Sequence, residues 1–213
     1  MSAVDPALEP LATPVSAASA WNIANALTVF RLFLVPAFVA ALFAESGHEH
    51  GWRWVAFGVF AVASYTDRID GQIARSRNLV TAFGKLADPI ADKALTGAAL
   101  IGLSLLDDLS WYVTVLVLVR EVGVTLLRFW VIRHGVIPAS RGGKLKTLLQ
   151  GLAIGFYVLP LTGFLATGRA VVMVLAVAVT VITGIDYVAR ALTLRQTSDR
   201  AAMKRARKAA KAP

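Results

Sequence analysis

The chain has 213 residues, 57% of them hydrophobic, no cysteine and a formal net charge of +9. Its mean hydropathy of +0.64 is well above that of an average soluble domain. Without thiols there can be no disulfide, thiolate metal site or cysteine nucleophile, and no internal repeat points to a transporter of the inverted-repeat type.

In chain order, residues 1 to about 14 are rich in Pro and Ala and are expected to be disordered. They carry Asp5 and Glu9 but no basic n-region. The small-residue stretch SAASA precedes the first apolar run instead of following it, so no secretory signal is expected. The stretch through Asn25 suits a short amphipathic helix on a membrane surface, with Trp21 at the interface. Six apolar stretches near the length of a bilayer span follow, at 24–43, 54–75, 83–106, 109–131, 145–165 and 169–192. The linkers between them are too short to form a soluble domain around buried helices. The expected fold is therefore an all-α integral membrane protein with six transmembrane helices. Its parts are a juxtamembrane N-terminus (1–20), a membrane domain (21–194) and a basic cytoplasmic tail (195–213).

Charge gives the orientation. With six spans, both termini lie on one side, together with Arg75, Arg77, Lys85, Arg133, Arg141, Lys144, Lys146 and the basic residues from Arg190 to Lys211. The other side has only Arg53 and Arg169. This asymmetry places both termini in the cytoplasm of a multi-pass inner (plasma) membrane protein. On such a protein the KRARKAAK tail reads as a contact to anionic lipid and not as a nucleic-acid patch. Trp52, Trp54 and Trp111 suit interface anchors, Pro36 suits a bend in the first span, and Asp107 and Asp108 suit an outward loop. Asp186 and Arg190, at i and i+4, suit an internal pair. His48, His50 and His134 have no metal-ligand spacing.

Four acids interrupt this apolar pattern. Asp67 and Asp70 are i and i+3, and Asp88 and Asp92 are i and i+4, so on helices each pair shares a face. Asp67 lies about 20 Å of helix from Trp54, and Asp92 about 22 Å from Asp107. Antiparallel neighbours would thus hold their acids at nearly the same level, roughly 10 Å below the cytoplasmic boundary. Unpaired carboxylates there would cost several kcal/mol each. Arg68 and Lys93 cannot balance four anions, whereas two divalent ions can. An all-oxygen donor set without His or Cys favours Mg²⁺ or Mn²⁺ over zinc. Solvation at a helix end would explain either pair alone, but not both at matched depth. Gly71, Ala74 and Gly84 leave room for a bulky ligand, and Arg75 can hold phosphate in a bidentate pair.

The stretch from Asp67 to Asp92 follows D-x2-D-G-x2-A-R-x8-G-x3-D-x3-D without a departure. In this the chain resembles the CDP-alcohol phosphotransferases over most of its length. NIANALTVFRL (22–32), DPIADK (88–93), RE (120–121), LRFW (127–130) and GKLKT (143–147) are similar to the bacterial members that use glycerol phosphate. That group more often has an aromatic pair where this chain has Arg68 and Ile69. The metal ligands are untouched, and an actinobacterial-type variant is expected.

The resemblance implies two metal ions held by Asp67, Asp70, Asp88 and Asp92, with Asp92 as the base. It also implies a homodimer and displacement of CMP from CDP-diacylglycerol by sn-glycerol 3-phosphate. Asn25, Thr28, Gly71, Arg75 and Thr81 would line the nucleotide side. The acceptor carries its own phosphate, which Arg120, Arg128 and Lys144 would bind, with Arg141 and Lys146 as weaker candidates. Alternatively, Arg120 pairs with Glu121 or another helix while the lysines only obey topology. Within the family, acceptors such as inositol phosphate, phosphatidylglycerol or serine would use the same acids. From another class, a cation or proton transporter would explain the acids but not the glycines, Ala74 and Arg75 at their spacing.

Overall fold

The computed structural model describes residues 23–76, 82–131 and 141–209, without the side chains of 23–26, 67–76, 82–89, 92, 141 and 197–209. Among them are six α-helices and no strand: α1 (Ile23–Phe43), α2 (His50–Ser76), α3 (Ala82–Leu105), α4 (Trp111–Val131), α5 (Arg141–Val158) and α6 (Phe164–Ala209). Each corresponds to one of the six apolar stretches. The surface-helix reading of the segment before Ile23 lies outside the described residues. Pro36 sits inside α1, which continues through it.

Two boundaries differ from the sequence expectation. The fifth helix ends at Val158, seven residues before the apolar run does, because Pro160 offers no N–H and Gly163 takes a positive φ of 59°. The sixth helix starts earlier, at Phe164, and runs unbroken past residue 194 to Ala209. No Gly or Pro interrupts 185–209, and the basic run is built from good helix formers (Ala, Arg, Lys and Met).

Helix α1 lies against α2 and α3, α6 lies against α4 and α5, and α5 also meets α2 and α3. The buried core at these contacts includes Phe38, Leu42, Phe60, Leu100, Leu103 and Ile154. Phe38 and Phe60 meet with ring centroids 5.8 Å apart. A Cβ on Gly102 would sit 2.7 Å from Leu42 Cδ2, so the missing side chain sets how closely α1 and α3 approach. Thr114 Oγ1 donates to Leu100 O (3.2 Å) and lies 2.7 Å from Ser104 Oγ, which ties α4 to α3 inside the apolar interior.

The outside of the bundle carries many large apolar side chains. Phe33, Val119, Phe129, Val174, Ile182 and Ile185 are each more than half exposed. Continuous apolar surface of this kind marks a membrane or partner contact. Among the described residues, two helical segments are long and apolar enough to cross a membrane by length and composition alone, Leu27–Gly47 and Phe164–Gln196. In α4 the charged residues Arg120, Glu121 and Arg128 interrupt the apolar run, and the apolar helical segment Lys93–Leu105 is shorter than a span.

The end of the bundle opposite the acids is closed by a polar latch. Arg53, only 4% exposed, donates Nη2 to Asp108, Nε to the Gly47 carbonyl and Nη1 to the Tyr157 carbonyl (3.5 Å). His48 Nε2 lies 3.8 Å from the same Asp108 carboxylate. Asp108, expected as a plain outward loop residue, therefore ties the α3–α4 connection to Arg53 of α2 and to His48. Nearby, Glu49 caps α2 by accepting from the Trp52 N–H at 2.8 Å. Backbone hydrogen bonds from Trp52 and Gly51 hold its carboxyl below the usual Glu range. Its contribution is therefore present above the unfolded pKa and lost as pH falls through the folded one.

The turn Ala44–Gly47 takes positive φ at Glu45 (47°), Ser46 (63°) and Gly47 (78°), and a Cβ on Gly47 would collide with Leu106. Gly47→Ala should therefore lower stability in detergent by roughly 1–2 kcal/mol, read as a drop in Tm. An unchanged Tm would mean that the turn relaxes freely.

Candidate active site

The four acids fall on two helices that touch each other. Asp67 and Asp70 are in the last part of α2, and Asp88 and Asp92 are in the first half of α3. Their side chains lie outside the described part, as do those of Asn25, Gly71 and Arg75, which sit in α1 and α2; Thr81 lies outside the described residues altogether. As a donor set, four carboxylates on neighbouring helices fit a hard divalent cation. Among the described side chains there is no other group of three or more His, Cys, Asp or Glu that could hold a metal.

One helical turn from the acids, toward the Trp54 end, lies a cavity of about 230 Å³. Ser64 precedes Asp67 by three residues and Thr96 follows Asp92 by four, so each shares a helix face with an acid. Both line the cavity, together with Lys93, Glu121, Lys146 and Gln150.

Glu121 organises the cations here. Its carboxylate accepts from Lys146 Nζ, from Lys93 Nζ at 3.3 Å and from Arg120 Nη1 at 3.2 Å. Lys93 also reaches the Glu121 carbonyl at 3.4 Å, which ties the residue after Asp92 to α4. Arg120 donates Nη2 to Thr183 Oγ1 on α6 at 3.1 Å. Its stem crosses α6 at Gly184, where a Cβ would sit 3.2 Å from Arg120 Cγ. Three cations around one carboxylate leave a net positive charge in a largely apolar interior. Such a site suits an anion.

Of the residues expected to bind the acceptor, Arg120 thus pairs with Glu121, which lines the cavity, while Arg120 itself is not among the lining residues. Arg128, in the last turn of α4, and Lys144, in the first turn of α5, are both exposed and are not among the side chains gathered around Glu121. Lys146 is 6% exposed and belongs to the cluster. Thr28 and Arg31 are i and i+3 on α1, and both are buried. Asp186 and Arg190 form the expected pair, with Arg190 Nε 2.9 and 3.0 Å from the two carboxylate oxygens. Sequence reasoning had Glu121 only as an alternative partner of Arg120, not as the centre of a cation cluster, and passed over Gln150. The available signals were an acid beside Arg120 within an apolar run, and the i,i+4 spacing of Lys146 and Gln150.

These features define a helical protein with the apolar surface of a membrane protein, paired acids at one end and a cation-lined cavity beside them. Residues 21–182 match the family described as CDP-alcohol phosphatidyltransferase, and the chain belongs to that family of transferases. It is 58% identical over 181 residues to a protein of Mycobacterium tuberculosis H37Rv named "Probable phosphatidylglycerophosphate synthase", covering 83% of this chain and 87% of the relative. It is 36% identical over 171 residues to a Rickettsia felis protein named "CDP-diacylglycerol--glycerol-3-phosphate 3-phosphatidyltransferase", covering 78% and 93%. A Bacillus subtilis protein of the same name is 35% identical over 153 residues, covering 65% and 77%. The family resemblance drawn from the acid pattern is borne out, and the mycobacterial relative fits the actinobacterial-type expectation.

Proposed function

We propose that this chain transfers the phosphatidyl group of CDP-diacylglycerol to sn-glycerol 3-phosphate, giving phosphatidylglycerol phosphate and CMP. The observation that carries the choice of acceptor is the Lys93–Arg120–Lys146 cluster around Glu121, one turn from the acids. A phosphate-free acceptor would have no use for it. The names of the relatives favour glycerol phosphate among the phosphorylated acceptors.

Members of the family generally depend on a divalent metal. Asp67, Asp70, Asp88 and Asp92 would hold two such ions, Mg²⁺ or Mn²⁺. Bound there, the metal would polarise the diphosphate and stabilise the charge that develops on CMP. Asp92 takes the proton from the acceptor's primary hydroxyl as its oxygen bonds to the lipid-side phosphorus and the bond to CMP breaks. Arg75 holds diphosphate charge, and Asn25, Thr28, Gly71 and Thr81 line the nucleotide side. Arg120 holds the acceptor phosphate, while exposed Arg128 and Lys144 draw anions toward the opening. The protein works as a homodimer with six spans in the inner (plasma) membrane, and its termini and site face the cytoplasm, a reading supported by the charge asymmetry of its loops.

The test is CMP release by purified protein from CDP-diacylglycerol with glycerol 3-phosphate, inositol 1-phosphate, phosphatidylglycerol or serine. Release with glycerol 3-phosphate at least ten-fold above the others is expected. Preference for another acceptor would refute the substrate, and ion flux without CMP release would favour a transporter.

A further inference from the structure

Gln150 sits one turn after Lys146 on α5, is 6% exposed and lines the cavity. Its side-chain Oε1 is buried without a hydrogen-bond partner. Leaving such an oxygen unsatisfied costs about 1–3 kcal/mol, a cost that a donor from a bound molecule would remove. The cations beside it (Lys146 on the same face of α5, Lys93 across the cavity) are suited to a phosphate. A phosphate with a hydroxyl donor a few atoms away fits both features at once. That is the chemistry of a short polyol phosphate.

We propose that Gln150 is a specificity-determining residue that accepts a hydrogen bond from the acceptor's non-reacting secondary hydroxyl. This rests on the acceptor being glycerol 3-phosphate. The primary hydroxyl stays free to react, and Lys146 and its neighbours carry the phosphate. An acceptor without the middle hydroxyl leaves the Gln150 oxygen orphaned. A site built to pair with a hydroxyl discriminates strongly against the analogue that lacks it.

The experiment compares glycerol 3-phosphate with 3-hydroxypropyl phosphate, which keeps the phosphate and the primary hydroxyl but lacks the secondary one. In the wild type, kcat/KM should favour glycerol 3-phosphate by about ten-fold or more. In Gln150→Leu that ratio should fall to within about two-fold of unity. Gln150→Asn, which keeps the amide but withdraws it by one methylene, should also lower the ratio and serves if the leucine variant does not fold. A wild-type ratio near one, or variants that lose both activities in parallel, would overturn the assignment of Gln150, since a merely structural amide or one satisfied by water would behave that way. A wild type that ignores glycerol 3-phosphate but uses another acceptor would instead refute the proposed reaction, and this assignment with it.

Discussion

Replacing Glu121 with leucine is expected to cost about 3–5 kcal/mol of stability, because it leaves buried cations without their shared counter-ion. The three cations should not suffer equally. The Lys93 side chain is 37% exposed and can turn to water, but Arg120 is 16% exposed and Lys146 only 8%. Most of the penalty should therefore fall on Lys146. The double variant Glu121→Leu/Lys146→Leu should recover part of the loss, because it removes the most deeply buried cation along with the acid. Denaturant or thermal unfolding in detergent, read as a double-mutant cycle, measures this. Wild-type stability in Glu121→Leu would show that the cluster is solvated and gains nothing from the acid. Activity should fall as well, since Glu121 holds Lys93 against α4 and so fixes the turn that follows Asp92.

What could be read in the chain depended on the range of the interaction. Helix positions follow from runs of apolar residues, and all six correspond to helices. Local pairs follow from helical spacing, as Asp186 and Arg190 show. The early end of α5 was also available, since Pro160 and Gly163 stand inside the apolar run. The unbroken α6 was available from the absence of any Gly or Pro over 185–209. In both places hydropathy was weighed above backbone chemistry.

Contacts between helices were not readable in this way. Lys93 and Lys146 lie 28 and 25 residues from Glu121, and their meeting depends on how α3, α4 and α5 are rotated about their axes. One apolar sequence allows several such rotations. Arg120 shows the limit well: pairing with Glu121 and service to an anion looked like alternatives, yet the structure joins the first to a cavity suited to the second. The same holds at the other end, where nothing local to Asp108 announces that Arg53, 55 residues earlier, is its partner.

Asp92→Asn should lower kcat by about 10²–10⁴, the usual contribution of a positioned general base. The substitution keeps the size of the side chain and one oxygen, but an amide cannot take the acceptor's proton. It also weakens a proposed metal ligand, so a fall in rate alone would not separate the two roles. Metal dependence does separate them. A defect in ligation should shrink as the divalent ion is raised, whereas a missing base should leave kcat low at saturating ion. Asp67→Asn, at a position proposed only as a ligand, provides the contrast, with a loss that added metal partly repairs. If Asp92→Asn recovers near-wild-type turnover at saturating metal, Asp92 is a ligand only and the proton must leave by another route. If CMP release persists after thorough chelation, the four acids on α2 and α3 serve some purpose other than holding ions.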